Sequence, residues 1–168
     1  LETAKIAIQA SLTGHLVLST VHTNSAIGAI ARLRDMGIES YLLASSIRLV
    51  ISQRLVRRLC AECKTKITPP ESIQQKFALD SNSPIYKANG CNSCSNSGFK
   101  GRVALAECIS ITEDLKALIH DEASENALAQ CAFKNTLSID ASSTKLLLEG
   151  VTSYEELLKV QTHYDANI

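Results

Sequence analysis

Two Cys-x-x-Cys pairs, Cys60/Cys63 and Cys91/Cys94, restrict this chain more than any other feature of its sequence. Each pair can set two thiolates on one tight turn, and two such turns supply the four-sulfur tetrahedron that Zn²⁺ accepts. The 27 residues between the pairs exceed the usual zinc-ribbon spacing. They carry a short helical pattern of their own, Ile73–Leu79 after Pro69-Pro70, so the distance is no obstacle. Asn89-Gly90 before Cys91 and Gly98 after Cys94 give the backbone the freedom such a turn needs. Two competing chemistries are weaker: disulfides are rare in a reducing compartment, and a redox dithiol needs one pair, not two. All four candidate ligands are cysteine, with no His or carboxylate completing the set. No position is left open for water or substrate, and the site reads as structural.

Residues 60–101 hold all three prolines and little apolar periodicity outside that one helix. Such a segment is expected to draw its folding energy from the metal. Four thiolates around a divalent ion leave net negative charge, and the flanks are basic: Arg57, Arg58, Lys64, Lys66, Lys100 and Arg102. Cys108 and Cys131 fall within apolar patterns and read as small buried hydrophobes.

Charge and composition exclude other classes. Seventeen basic and seventeen acidic side chains cancel, so no global field steers the chain toward nucleic acid or acidic lipid. Aromatic residues make up 4%, fewer than a base-stacking surface needs. A hydrophobic fraction of 45% suits a folded globular core. No apolar run approaches a membrane span and no secretory leader opens the chain, so the expected compartment is the cytoplasm. Leu1-Glu2-Thr3 passes at once into a helical pattern without an initiator Met, which reads as a piece of a longer protein.

Before the cysteines, the order is helix, strand, capped helix. Ile6, Ala7, Ala10 and Ser11 share one helical face that Gly14 closes. The apolar run His15–His22 then predicts a buried strand of a parallel sheet. Thr23, Asn24 or Ser25 can cap the next helix, which carries Ile27, Ile30, Leu33 and Met36 and ends at Gly37. A further helix is expected over 40–50, and 53–59 could continue it or form a strand, the strand being the favoured reading. After the cysteines, Val103, Leu105, Ile109 and Ile111 alternate as a strand. Glu107 falls among their inward positions and needs a partner. From the cap Thr112 onward the pattern is helical. Its stripes are Leu115/Leu118/Ile119, Ala127/Leu128/Cys131, Leu146/Leu147 and Leu157/Leu158, the last opened by Thr152 or Ser153.

His15 and His22 stand at the two ends of the expected strand. Ligands of open α/β sheets sit beyond the carboxyl ends of strands, which places His22 where a phosphate could be met, beside a helix N-terminus that favours anions. A histidine that merely caps a strand end fits the periodicity equally well. No GxxxxGK[ST] loop is present, so this chain alone cannot cradle a triphosphate.

The opening stretch ETAKIAIQASLTGHLVLSTVHTN resembles the segment after the Walker B motif in the ATPases of bacterial type II secretion and type IV pilus assembly, the His box. SQRLVRRLCAEC, GCNSC, GFKGRVALAE and LLLEGVTSYEELLKV continue the similarity in order, over nearly the whole chain. The four-cysteine insert is similar to the secretion and pilus-extension branch. The resemblance implies a hexameric motor with a RecA-like core, driving pilin or pseudopilin assembly from the cytoplasmic face of the inner membrane. It also implies that His22 contacts the γ-phosphate as a catalytic and nucleotide-binding residue, with His15 the weaker second member. ATP and Mg²⁺ would be held mainly by upstream groups, so this piece should not hydrolyse ATP alone. An inner-membrane platform protein is the implied partner. Ser25 stands where the family commonly has Asp.

The expected architecture is therefore α/β with an α-rich tail. Residues 1–59 would be the C-terminal part of a RecA-like ATPase domain, 60–101 a tetracysteine zinc subdomain, and 102–168 a strand plus helical C-terminal subdomain. Arg54, Arg57 and Arg58 could serve a subunit boundary or nucleotide. The simpler reading makes them a basic rim for the anionic metal centre, with one available to Glu107. The alternative function is a free-standing zinc-ribbon module for protein or nucleic acid, which neutral charge disfavours.

Overall fold

Ser25 and Gly37 bracket the helix that the sequence marks most plainly. In the structure, a computed structural model that describes residues 2–165, α2 spans Ala26–Asp35. The Ser25 side chain accepts the Gly28 N–H, and Gly37 leaves the helix at φ +80°. Two compact units result, each built from two stretches of chain: residues 1–52 with 107–137, and 53–106 with 138–168.

The first unit holds α1 (Glu2–Leu12), α2, α3 (Ser40–Ser46), α5 (Glu113–His120) and α6 (Glu125–Ala132). The beginning of β1 (Leu49–Leu59) and the end of β4 (Phe99–Ser110) also belong to it. Ile8, Ile27, Ile30, Leu43, Ile109, Leu115, Ile119 and Leu128 form its core. Thr112 caps α5 by accepting the Leu115 N–H, as expected. On α1 the buried face is carried by Ile8, while Ile6 is 60% exposed, so the expected face was turned by part of a helical step. The helix expected over 40–50 stops at Ser46, because the period-two pattern starting at Leu49 takes over as β1. That pattern also settles 53–59 as strand.

The His15–His22 run is not a strand here. Residues 15–23 have no regular secondary structure, and Leu16 and Leu18 are 88% and 87% exposed. An apolar run becomes a strand by pairing, and the described strands pair elsewhere, β1 with β4 and β2 (Thr65–Ile67) with β3 (Ile85–Lys87). Cys108 is likewise exposed rather than buried. Alternation along β4 turns Leu105, Glu107 and Ile109 inward and places Cys108 on the opposite face. Cys131 is partly buried, packed against the first core.

The second unit contains the rest of β1 and β4, the antiparallel β2–β3 pair, α4 (Glu71–Phe77), α7 (Ile139–Leu148) and α8 (Tyr154–Asp165). Ile73, Phe77, Leu79 and Ile85 of the cysteine-bearing segment share a core with Val56, Leu105, Leu147 and Leu157. That segment therefore packs its few apolar side chains against residues on either side of it in the sequence, a source of stability beside any metal. Burial of these side chains contributes on the order of 2 kcal/mol each before chain entropy is counted. At the ends of the β1–β4 ribbon, Cys60 N–H donates to Gly98 O and Ile111 N–H to Arg48 O, so the two strands run antiparallel. The chain is α/β with a helical tail, as expected. The last three residues of that tail lie outside the described ones. Among the described residues no helix is long and apolar enough to cross a membrane.

Candidate metal centre and the His15–His22 segment

Cys60 directly follows the β1 strand, and Cys63 closes the turn after it, where Lys64 N–H donates to Cys60 O at 3.1 Å. Cys91 caps and Cys94 ends a short 3-10 turn, Asn92–Cys94. The chain leaves that turn through left-handed Ser95 and Asn96, at φ +51° and +59°. The four Sγ atoms lie within 4.8 Å of one another, and this cluster could hold a metal ion. Cys60–Cys91, Cys63–Cys94 and Cys91–Cys94 sulfurs are 3.9, 3.8 and 3.7 Å apart. A tetrahedral ion with metal–sulfur bonds of about 2.3 Å sets its sulfurs about 3.8 Å apart, so the donor set and its spacing fit.

Backbone N–H groups aim at the sulfurs. Gly90 N–H donates to Cys63, while Cys91 and Gly98 N–H both donate to Cys94, at 3.3, 3.2 and 3.2 Å. Such donors stabilise thiolate and orient it, the supporting role that outer groups play around metal ligands. Burial raises the Cys94 thiol, but the Cys91 and Gly98 N–H groups outweigh it and bring Cys94 down to about 6. Burial and the hydrogen bond with Cys94 push Cys91 up to about 11. The metal-free cluster therefore holds one ready thiolate and one reluctant thiol, a proton that a metal ion would displace. Ser93 Oγ donates to Glu62 Oε1 at 2.7 Å and ties the two turns together. Spacing alone gives no sign of that bond.

The basic flank serves other partners than the sulfurs. Arg57 pairs with Glu156 and lies over the Phe99 ring, and Lys64 reaches Gly150 O at 2.7 Å and the Tyr86 ring. The expectation of a rim that offsets the metal centre is corrected for these two residues. Glu107 reaches the helix backbone: its Oε1 accepts the Ala26 N–H at 2.6 Å. Glu155 and Glu156 read as first-turn acids that complement the α8 dipole, and that signal gave no hint of a partner on β1.

His15 and His22 are both exposed and lie at the ends of the apolar 15–22 run, not in the cysteine cluster. The Thr13 hydroxyl and His15 Nδ1 share a hydrogen bond at 3.0 Å. At the helix end beside His22, Glu107 takes the Ala26 N–H and Ser25 the Gly28 N–H.

A sequence model of the family described as "Type II/IV secretion system protein" matches residues 1–159. Type II secretion system ATPase E of Vibrio cholerae is 44% identical over 162 residues, which cover 95% of this chain and 32% of that protein. Type IV pilus assembly ATPase PilB of Myxococcus xanthus is 39% identical over 166 residues, covering 94% and 29%. Among solved structures, the pilus retraction motor PilT with bound ADP aligns with a TM-score of 0.63 at 22% identity, covering 95% of this chain and 36% of that one. At that identity the likeness is one of fold. The chain spans about a third of the length of the relatives it matches.

Proposed function

Because this chain belongs to the Type II/IV secretion system protein family, we propose that it forms the C-terminal part of a RecA-like ATPase powering pilin or pseudopilin assembly. The full-length protein would act as a hexamer at the cytoplasmic face of the inner membrane, against a platform protein. The observation that carries this reading is the family match over residues 1–159, which spans both the His15–His22 run and the four-cysteine cluster.

In this reading His22 donates to the γ-phosphate and His15 assists. A donor engaged with ATP and released with ADP is a differential contact, the requirement for any ligand that biases a conformational equilibrium. Mg²⁺ and the remaining phosphates fall to upstream residues of the full-length protein, and this chain alone, lacking a GxxxxGK[ST] loop, does not turn over ATP. Cys60, Cys63, Cys91 and Cys94 hold one Zn²⁺ whose role is structural. Four thiolate ligands leave it no open position for chemistry.

The test compares ATP hydrolysis and particle mass of the full-length protein with those of this chain. Mg²⁺-dependent turnover by a hexamer, lowered by His22→Ala and absent from the isolated chain, is the expected result. A full-length protein with no nucleotide turnover, or full turnover by His22→Ala, overturns the assignment.

A further inference from the structure

Glu107 occupies an inward position of β4 between Leu105 and Ile109 and is 2% exposed. A carboxyl group so placed is unfavourable unless hydrogen-bonded. Its Oε1 accepts the N–H of Ala26, 81 residues away, at 2.6 Å. Ala26 opens α2, where the N–H groups have no partner inside the helix and the dipole favours a negative group. Ser25 takes another N–H of the first turn, that of Gly28, at 2.9 Å. The preceding residues are fastened as well. Thr23 Oγ1 donates to Ser25 O at 3.1 Å, and Ser52 Oγ of β1 donates to Asn24 O at 3.5 Å. The junction between His22 and α2 is thus tied to β1 through Asn24 and to β4 through Ala26, and Glu107 makes the shorter of these two ties.

We propose that Glu107 is the positioning residue of the His22 segment: its buried carboxyl sets where α2 begins, and so where His22 is presented to a nucleotide phosphate. This rests on the reading of His22 as the phosphate contact. Glu107 does not itself reach nucleotide; its influence passes through the Ala26 backbone. A residue that merely stabilised the fold would depress activity independently of His22. A positioning residue has nothing left to position once the imidazole is gone.

The experiment is a double-mutant cycle on the full-length protein, with kcat and KM for ATP measured for Glu107→Ala, Glu107→Gln, His22→Ala and the double variant His22→Ala/Glu107→Ala. Glu107→Ala should lower kcat on the order of tenfold to a hundredfold, the effect of misplacing a reacting group by about 1 Å. Glu107→Gln, whose amide oxygen can still accept the Ala26 N–H, should recover most of that loss. The double variant should be no slower than His22→Ala alone. Losses that multiply in the double variant, or equal loss in the Ala and Gln variants, overturn the proposal. If Glu107→Ala does not fold, Glu107→Asp, one methylene shorter, replaces it in the same cycle with the same criterion. Wild-type turnover by His22→Ala overturns the phosphate reading of His22 instead. The grip of Glu107 on α2 is then judged by hydrogen exchange over residues 22–28. Deprotection there in the Glu107 variant, with α5 unaffected, supports the grip, and unchanged protection overturns it as well.

Discussion

Arg57 and Glu156, 99 residues apart, form a two-pronged ion pair, with Nε to Oε2 at 2.9 Å and Nη2 to Oε1 at 2.6 Å. The pair ties β1 to the first turn of α8. The same guanidinium stands 4.0 Å from the Phe99 ring centroid, Lys159 adds a second cation to Glu156 at 2.8 Å, and Thr152 donates to the Arg57 carbonyl. The two partners are unequally exposed: the carboxylate side chain at 9%, the guanidinium at 46%.

That inequality predicts unequal costs. Glu156→Gln leaves a half-exposed guanidinium that water can solvate, and should cost about 1 kcal/mol. Arg57→Ala leaves a nearly buried carboxylate with Lys159 as its remaining cation and removes the ring contact, and should cost about 2 to 3 kcal/mol. Urea unfolding of the metal-loaded protein at neutral pH measures both. Equal midpoints for the two variants would contradict the asymmetry.

The pair also sets a pH dependence. Hydrogen bonding to Arg57 outweighs burial and holds the Glu156 carboxyl at about 2, below its ordinary 4.5. The unfolded chain then takes up the proton first as pH falls, so the contribution is complete above about 4.5 and is lost progressively toward about 2. Screening at the exposed guanidinium limits it to about 1 to 2 kcal/mol. Acid release of metal affects the wild type and Glu156→Gln alike, so the informative quantity is the difference between their stabilities. It should shrink between pH 4.5 and 2, and a constant difference would refute the linkage.

What the sequence disclosed was local. Ser25 and Thr112 cap helices because a hydroxyl reaches two or three residues ahead, and Gly37 ends α2 because it tolerates positive φ. The four cysteines were legible for a similar reason: each pair is a single turn, and four thiols are a chemical statement about a metal. What failed was non-local. His15–His22 has the composition of a buried strand, but a strand needs a neighbour, and composition does not say which segment provides it. Alternation along β4 showed that Glu107 would point inward and need a partner, yet not that a backbone N–H far away in sequence would be one. The same alternation, followed one residue further, would have placed Cys108 outside. The Arg57–Glu156 pair had no periodic signature on either side.

Cys108 supplies a reactivity contrast. It is exposed on β4, while Cys60 and Cys94 are buried and all four clustered sulfurs would be bonded to Zn²⁺. Mass spectrometry after brief alkylation of the metal-loaded protein should therefore find Cys108 modified first and the four ligands protected. A strong chelator should release one Zn²⁺ per chain and open all four to modification, Cys94 ahead of Cys91, since Cys94 lies at about 6 and Cys91 at about 11. Protection of Cys60, Cys63, Cys91 and Cys94 that survives chelation would argue against a metal centre.

Gly98 and Gly101 separate the two ways a glycine can be required. Both hold positive φ, +75° and +79°. A β-carbon on Gly101 would meet nothing within 4 Å, so Gly101→Ala should cost the left-handed backbone alone, about 1 kcal/mol. A β-carbon on Gly98 would lie 2.5 Å from the Ala88 β-carbon, which cannot swing aside as the end of a long side chain can. Displacing Gly98 also disturbs its N–H bond to the Cys94 sulfur and the bond its carbonyl accepts from Cys60 N–H at 2.9 Å. Gly98→Ala should therefore lose Zn²⁺ to a competing chelator at least about tenfold more readily than wild type, within the range seen for altered outer groups of metal sites. Gly101→Ala should retain its metal at the wild-type level. Equal metal loss in the two variants would mean that backbone strain, rather than the close approach of Gly98 to Ala88, governs the site.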